Sequence, residues 1–509
     1  MIDESQNNKR IAKNTVVLYV RMLFVLLANL YISRIVLSNL GVVDYGIYNV
    51  IGGLVAMFSI LSGSLSAAIS RFMTFELGKG NKERLCNVFS SAVSIQIVMA
   101  IVVSILAEII GVWFLNCKMT IPTERLEAAN WVLHCSVMTF VINLISVPYN
   151  AAIIAHEHMK TFAYVGILEV ALKVVVSLYL FVVVFDALKY YAIALVIVAL
   201  IIRLIYGFYC SRHFEECRYK FSINGSILKE MGTFAGWNFI GSSSAMCMEH
   251  GVNMVINVFS GPALNAARGV GHQVSTALSQ FASNFMIALN PQITKTYAIG
   301  DSEYLMKLLF RGSRFSFYLL LILSLPLLLE TEYVMTIWLG SVPDHAINFA
   351  RLFIVFVLSQ SISSPLITVM LATGKIRDYQ ILVGGLQMLN LPISYILLKI
   401  GYFPEITVIV AIILSQCCLF ARIVMLHKMI NLSRSKFLFY VCGNTIIVGI
   451  LSLLLPLLLH SFMSYGIFRF IFVTLLSVIS TSITIYFVGC NEVERQFVRS
   501  KIKQRMSNL

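Results

Sequence analysis

The sequence predicts an all-α polytopic membrane protein. It reads as 14 transmembrane helices in two pseudo-symmetric six-helix lobes plus two C-terminal helices, with both termini cytoplasmic. Three observations carry this. The 509 residues are 59% hydrophobic and 12% charged, which leaves too little polar surface to cover a soluble core of that size. The apolar residues fall in runs of about 20, the length that crosses the hydrocarbon of a bilayer as a helix. The Lys and Arg residues concentrate in one alternate set of loops and termini. That is the positive-inside pattern, and it accounts for most of the net charge of +14 without invoking nucleic acid as a partner.

The polar N-terminus, with Lys9, Arg10 and Lys13, is expected inside. The apolar run after it is too long for a cleavable signal. Span 1 covers about 15–37. The outer turn Ser38-Asn39-Leu40-Gly41-Val42-Val43-Asp44-Tyr45-Gly46 holds one acid and no base. Span 2 covers about 47–69, and an inner loop, 70–85, carries Arg71, Lys79, Lys82 and Arg84. Spans 3 and 4 (about 86–115 and 128–155) are joined outside by a short loop with Pro122. The inner loop His156-Glu157-His158-Met159-Lys160 leads to spans 5 and 6 (about 162–185 and 190–210). The polar segment 211–232 reads as a cytoplasmic linker between an N-terminal lobe, 1–210, and a C-terminal lobe, 233–428.

The second lobe begins with spans 7 and 8 (about 233–259 and 263–289), joined outside by Ser260-Gly261-Pro262. An inner loop, 291–314, contains an amphipathic piece, 302–311. Spans 9 to 12 follow at about 315–339, 347–372, 379–400 and 405–426. A basic inner loop, 428–436, precedes spans 13 and 14 (about 437–460 and 465–488), and residues 429–509 form the last two helices and a basic cytoplasmic tail. The ten cysteines show no paired-ligand spacing and read as small apolar residues, so no metal and no cofactor is expected.

Three short matches in order suggest duplication. Gly41 corresponds to Gly261, Thr74-Phe-Glu-Leu-Gly78 to Thr296-Tyr-Ala-Ile-Gly300, and Pro148-Tyr-Asn-Ala-Ala-Ile-Ile-Ala155 to Pro365-Leu-Ile-Thr-Val-Met-Leu-Ala372, all at offsets close to 220. Six spans per copy is an even number. The copies then face the same way and relate by an axis along the membrane normal.

The 6 + 6 + 2 arrangement, the Leu40-Gly41-x-x-Asp44-Tyr45-Gly46-x-Tyr48 turn and the Ser70-Arg71-Phe72…Gly78-Lys79-Gly80 segment resemble the Wzx-type polysaccharide (O-antigen or capsule repeat-unit) flippases. These belong to the multidrug/oligosaccharidyl-lipid/polysaccharide exporter superfamily. The resemblance implies two lobes around a central cavity lined by spans 1, 2, 7 and 8, in the bacterial cytoplasmic (inner) membrane. It implies a lipid-linked oligosaccharide as cargo, carried by undecaprenyl pyrophosphate and moved from the inner to the outer leaflet. Membrane lipids, and the polysaccharide polymerase and chain-length machinery, are the further partners it suggests.

A charge at mid-membrane is costly and must meet a partner or a wet cavity. Lys173 lies four residues after Glu169 in span 5, on one helix face, which fits an internal ion pair or a cavity charge. Glu249 and His250 are adjacent in span 7, point about 100° apart, and are candidates for proton coupling or for interhelical hydrogen bonds. Arg268 and His272 form one basic face of span 8. Arg21 lies within span 1 near its inner side and Arg34 near its outer end, where snorkelling is the plain alternative. Together Arg21, Arg34, Lys173, Arg268 and His272 form a candidate cationic set for a pyrophosphate, and the resemblance supports this for spans 1 and 8. Arg203, Arg351, Arg422 and Arg469 read as snorkelling anchors.

A multidrug exporter and a lipid II flippase are rivals within the superfamily. A membrane-embedded polymerase or glycosyltransferase is the rival of another class. Its chemistry calls for a larger extramembrane segment or convergent acids, and no Asp-x-Asp motif or nucleotide loop is present. His156-Glu157-His158 lacks the i, i+4 spacing of a zinc helix.

Overall fold

The computed structural model describes residues 4–496 except 57, 118, 120, 219–223 and 341, and also residue 499. The described chain is almost entirely helical, with no strand. It divides into two compact units. One comprises Met1–Ser242 with Ile287–Gly300, and the other Ser243–Met286 with Asp301–Leu509.

In the first unit the helix Glu4–Ala56 is interrupted at one residue, Gly41, whose φ of 73° and ψ of 172° are open to glycine and strained for other residues. The turn expected over 38–46 thus shrinks to a single break. The Ser38 hydroxyl and the Asn39 amide bond back to the Ile35 carbonyl and keep the helix wound up to that point.

The inner loop expected over 70–85 is helical as well. The helix Ser59–Lys79 ends at Gly80, in the left-handed conformation with its N–H returned to the preceding turn. Asn81 then opens the helix Lys82–Cys117 by accepting the N–H of Arg84 at 3.0 Å. The basic residues mark where the hydrocarbon ends, which is earlier than where the helix ends. Lys79 sits in a last turn, where the helix dipole favours a cation.

The same corner recurs 220 residues later. Gly300 is left-handed, and Asp301 accepts the N–H of Tyr304 at 3.0 Å to open Ser302–Leu329. This is the offset that relates Gly41 to Gly261, and it corrects the pairing of Gly78 with Gly300 by two residues. Gly78 has a different task. A Cβ there would lie 3.0 Å from the Lys295 backbone, so glycine permits two helices of this unit to touch. The proline match holds in position and not in shape. Pro148 lies within the unbroken Leu126–Ala155, whereas Pro365 stands at the start of Ser364–Thr373, after a 43° bend from Ala346–Ser361.

Residues Gly225–Ile299 are assigned as one continuous helix. Its contacts show a hairpin: Asn253 meets Arg268 and Glu249 meets His272, two pairs symmetric about Ser260 and Gly261. In a straight helix the second pair would stand about 35 Å apart.

Among the described residues, ten helices are long and apolar enough to cross a membrane, or 11 if the bent pair Ala346–Ser361 and Ser364–Thr373 counts as one span. The segments expected as spans 2, 7 and 8 fall outside that set: span 2 is divided between the helices Glu4–Ala56 and Ser59–Lys79, and in spans 7 and 8 Ser, Asn, Gln and Gly interrupt the apolar residues. Other expected spans are broken, span 9 at Glu330 and span 11 at Leu389. The amphipathic piece 302–311 is the first part of the continuous helix Ser302–Leu329. Inside the first unit, Ile32, Val36, Ile51, Ala129, Val132 and Leu188 form a core, while Ile105, Ile109, Leu204 and Phe208 are exposed, as a surface solvated by lipid requires.

Candidate functional site

The candidate charges assemble into one set within each unit. In the first, Lys173 Nζ donates to Glu169 Oε1 at 2.6 Å across one turn of the helix Met159–Tyr179. Arg21 packs on the same helix. Its guanidinium lies 4.5 Å from the centre of the Phe162 ring and directly against Gly166, where any side chain would collide with it. Glu169 and Tyr206 act on Arg21 electrostatically, and its buried Nε has no hydrogen-bond partner. Lys173 is thus paired with Glu169, and Arg21 is a second cation on the same helix without a paired carboxylate of its own. Arg34 is exposed and stands apart from this set, with no hydrogen bond or ion pair among the described residues.

In the second unit the set is built on the two arms of the 225–299 hairpin. Arg268 is 6% exposed, donates from Nη1 to Asn253 Oδ1, and lies 5.4 Å from the Phe353 ring centre. Its Nε is buried without a hydrogen-bond partner. One turn on, His272 Nε2 meets Glu249 Oε1 at 2.8 Å, with its ring edge-on to Phe353. These groups line a cavity of about 70 Å³ together with Ser275, Asn390 and Thr407. His250 is exposed and does not line it, in keeping with the angle between adjacent helical residues. Arg268 and Glu249 balance each other, so this set is neutral when the imidazole is neutral and cationic when it is protonated.

Three further clusters were not anticipated from the sequence, since each joins residues far apart in the chain. The first explains the acid of the Asp-Tyr-Gly turn. Arg125 Nε donates to Asp44 Oδ1 at 2.8 Å while its Nη1 donates to Asp186 Oδ2 at 2.9 Å. Asp186 also caps the helix Ala187–His213 through the N–H groups of Leu188 and Lys189. Burial pushes the Asp186 carboxyl up, but Arg125 and these N–H groups outweigh it and hold the group below its ordinary range.

The second cluster centres on Glu157, whose side chain is 1% exposed. It takes Arg10 at 3.0 Å, Lys295 at 2.8 Å and Gln292 at 2.6 Å, and its own φ of 60° is left-handed. Burial lowers the Lys295 pKa, and Glu157 opposes that shift. The flanking histidines turn elsewhere: His156 stacks on Phe214 and meets Glu216, and His158 bonds the Tyr209 hydroxyl at 2.9 Å.

The third is the pair of Arg469 with Glu330, and with Arg422, which lies elsewhere, it corrects two of the snorkelling assignments. Arg469 is bound at 3.1 Å to Glu330, which is fully buried. Arg422 is 2% exposed beneath the Tyr379 ring. Position along an apolar run gives depth in the membrane, and says nothing about which face of the helix a residue occupies. Arg203 stacks on Tyr149 at 3.9 Å.

No protein-family model matches the sequence, and no curated protein matches it. Solved structures do. An outward-facing multidrug resistance MATE family transporter of the MOP superfamily superposes with a TM-score of 0.74 at 14% identity, covering 84% of this chain and 96% of that one. A MATE in complex with MaL6 gives a TM-score of 0.71 at 14% identity, over 85% and 99%. A MOP superfamily transporter from Pyrococcus furiosus, for which a binding pocket of reversed polarity is described, gives 0.70 at 15% identity, over 85% and 96%. This chain has the fold of the MATE family transporters of the MOP superfamily.

Proposed function

We propose that the protein is a flippase. It moves undecaprenyl-pyrophosphate-linked oligosaccharide repeat units from the inner to the outer leaflet of a bacterial cytoplasmic membrane by alternating access, for polysaccharide export. All 14 segments cross, both ends lie inside, and spans 1, 2, 7 and 8 line the path. The observation that carries this reading is the excess of base over acid at membrane depth. Glu169 pairs with Lys173 and leaves Arg21 unpaired, and the buried Arg268 stands beside a Glu249–His272 pair. Fixed cations offset the desolvation of a pyrophosphate, and several weak sites let it leave. The polarity of spans 7 and 8, which sets them apart from the other spans, supports the same reading.

The test is complementation of a host that lacks the protein. Arg268→Gln and Lys173→Gln should each abolish surface polysaccharide while membrane abundance stays at wild-type level. Normal polysaccharide in both variants would sink the cationic-path reading. The fold is equally that of multidrug transporters, which makes a multidrug exporter the second reading, favoured by the Glu249–His272 pair as a site for proton exchange. Raised drug tolerance on overexpression, with polysaccharide unaffected by deletion, would select it. A lipid II flippase would instead show as loss of cell-wall synthesis on deletion.

A further inference from the structure

The first unit carries a further cation at membrane depth that neither charged set uses. Arg203 lies about 15 Å from the His213 end of the helix Ala187–His213, the end that the positive-inside rule places at the inner face. Among the described residues it makes no hydrogen bond and no ion pair, and its nitrogens remain accessible. The side chain is nonetheless held in place. Its guanidinium lies 3.9 Å from the centre of the Tyr149 ring, which is itself buried edge-on against Phe89. A Cβ at Gly207 would lie 2.9 Å from Arg203 Nη1, so the glycine leaves the space that the guanidinium occupies, one turn nearer the inner face. A snorkelling arginine sweeps freely among headgroups, whereas this one is seated on two sides with its donors open.

The seat lies at one end of a groove. The helices Lys82–Cys117 and Ala187–His213 both pack along Leu126–Ala155 and hardly touch each other. On Ala187–His213 the residues Lys189, Ile193, Leu200 and Arg203 fall on one stripe of three- and four-residue steps. Both ends of that stripe are tied to the middle helix, by Lys189 on Glu127 at 2.6 Å and by Arg203 on Tyr149. Between the ties Ile193 and Leu200 are exposed, and so is Met138 on the matching stripe of the middle helix. The Glu108–His134 pair ends this apolar stretch in the outer half.

A cation at the inner end of an apolar groove suits a molecule with an anionic head and a hydrocarbon chain behind it. Arginine takes a phosphate through two parallel N–H bonds. The acids near the inner end are already engaged: Glu157 by Arg10 and Lys295, Glu215 by Lys82 and Glu216 by His156. No free carboxylate is at hand for the ammonium of a zwitterionic head, which selects against it. We propose that this groove holds one anionic glycerophospholipid of the inner leaflet, with its phosphate on Arg203 and an acyl chain along Leu200 and Ile193. The site goes beyond the transport reading and does not depend on it, because neither charged set takes part.

The test is native mass spectrometry of the full chain in detergent, titrated with dioleoyl phosphatidylglycerol or dioleoyl phosphatidylcholine. The first phosphatidylglycerol should bind about fivefold more tightly than the first phosphatidylcholine, and Arg203→Gln should remove that advantage. Arg203 has no hydrogen-bond partner to leave stranded, so the glutamine variant is expected to fold. Gly207→Leu fills the seat from the other side while keeping the arginine, and should weaken phosphatidylglycerol binding likewise. Arg212→Gln removes an exposed arginine of the same helix that sits over Phe208, and should change binding less than about twofold. Equal affinity for the two lipids overturns the proposal, as does phosphatidylglycerol binding unchanged in either Arg203→Gln or Gly207→Leu. A loss at Arg212→Gln as large as at Arg203→Gln overturns it too, since the attraction would then belong to the basic surface at large. So does displacement of the lipid by glycerophosphoglycerol at equal concentration, which would leave the groove no part in binding.

Discussion

The carboxylate of Glu157 ties three segments of the first unit together. It is almost fully buried and bonds Arg10, Gln292 and Lys295, which come from the N-terminal helix and from the end of the 225–299 hairpin. Glu157→Gln keeps the shape and removes the charge. Arg10 is about half exposed and loses little, under about 1 kcal/mol. Lys295 is only 20% exposed and would keep an ammonium with no counter-charge. Removing one partner of a buried pair costs about 3–5 kcal/mol, and the residual exposure of Lys295 together with the remaining amide oxygen brings this to about 2–3 kcal/mol. For a unit of this size that lowers the melting temperature by roughly 4–10 °C. The assay is thermal unfolding of detergent-solubilised protein followed by size-exclusion fluorescence, at one fixed heating rate because unfolding is irreversible. Adding Lys295→Met should recover at least half the loss. A Glu157→Gln protein that melts with the wild type, or a double variant no better than the single, would refute the reasoning.

The two corner caps should behave as a pair. Asn81→Ala and Asp301→Ala each remove one side-chain acceptor from a helix start and should cost about 1 kcal/mol apiece in the same melting assay. Gly78→Val would drive a side chain into the Lys295 backbone and should cost about 1–3 kcal/mol, and Gly53→Val, where a Cβ has open space, provides the contrast. Asp186 has a folded pKa below its unfolded value of 3.8. Its contribution is therefore present above that value and is lost as pH falls through the folded one. The melting temperature should drop on acidification below pH 3.8, and Asp186→Asn should start lower and flatten that drop.

Helix identity was legible in the sequence because lipid solvation writes it in long apolar runs, and the repeat was legible from three short matches at nearly one offset, although the corner that the backbone repeats pairs Gly80, not Gly78, with Gly300. Corner lengths were not. Charge marks the edge of the hydrocarbon, while Gly80 and Asn81 mark the end of the helix, and the two differ by about two turns. The pairing of Glu169 with Lys173 could be read from spacing alone. The pairings of Glu249 with His272 and of Arg268 with Asn253 could not, although the hairpin about Ser260 implied some such register. Asp44 with Arg125, Glu157 with Lys295 and Glu330 with Arg469 join residues 81 to 139 positions apart, and nothing local announces them. Burial was the other blind spot. Arg422 and Arg469 lie in apolar runs like the snorkelling arginines, and only packing shows that their faces turn inward.

The repeated corner has one more consequence. Beside Asn81, Arg84 reaches Glu76 at 3.1 Å and Glu230 at 3.0 Å, whereas the matching place beside Asp301 is taken by Tyr304, which carries no charge. The two corners share their glycine and their cap, and differ in that one is tied by ions. The half-exposed Arg84–Glu230 pair weakens as dissolved salt screens it, the pair with the buried Glu76 much less so, and a capping hydrogen bond or a buried ring not at all. Ionic strength therefore acts on the two joints through different pairs: at Gly80 on the Arg84–Glu230 pair, which ties the joint to another helix, and at Gly300 on the exposed Glu303–Lys307 pair within one helix.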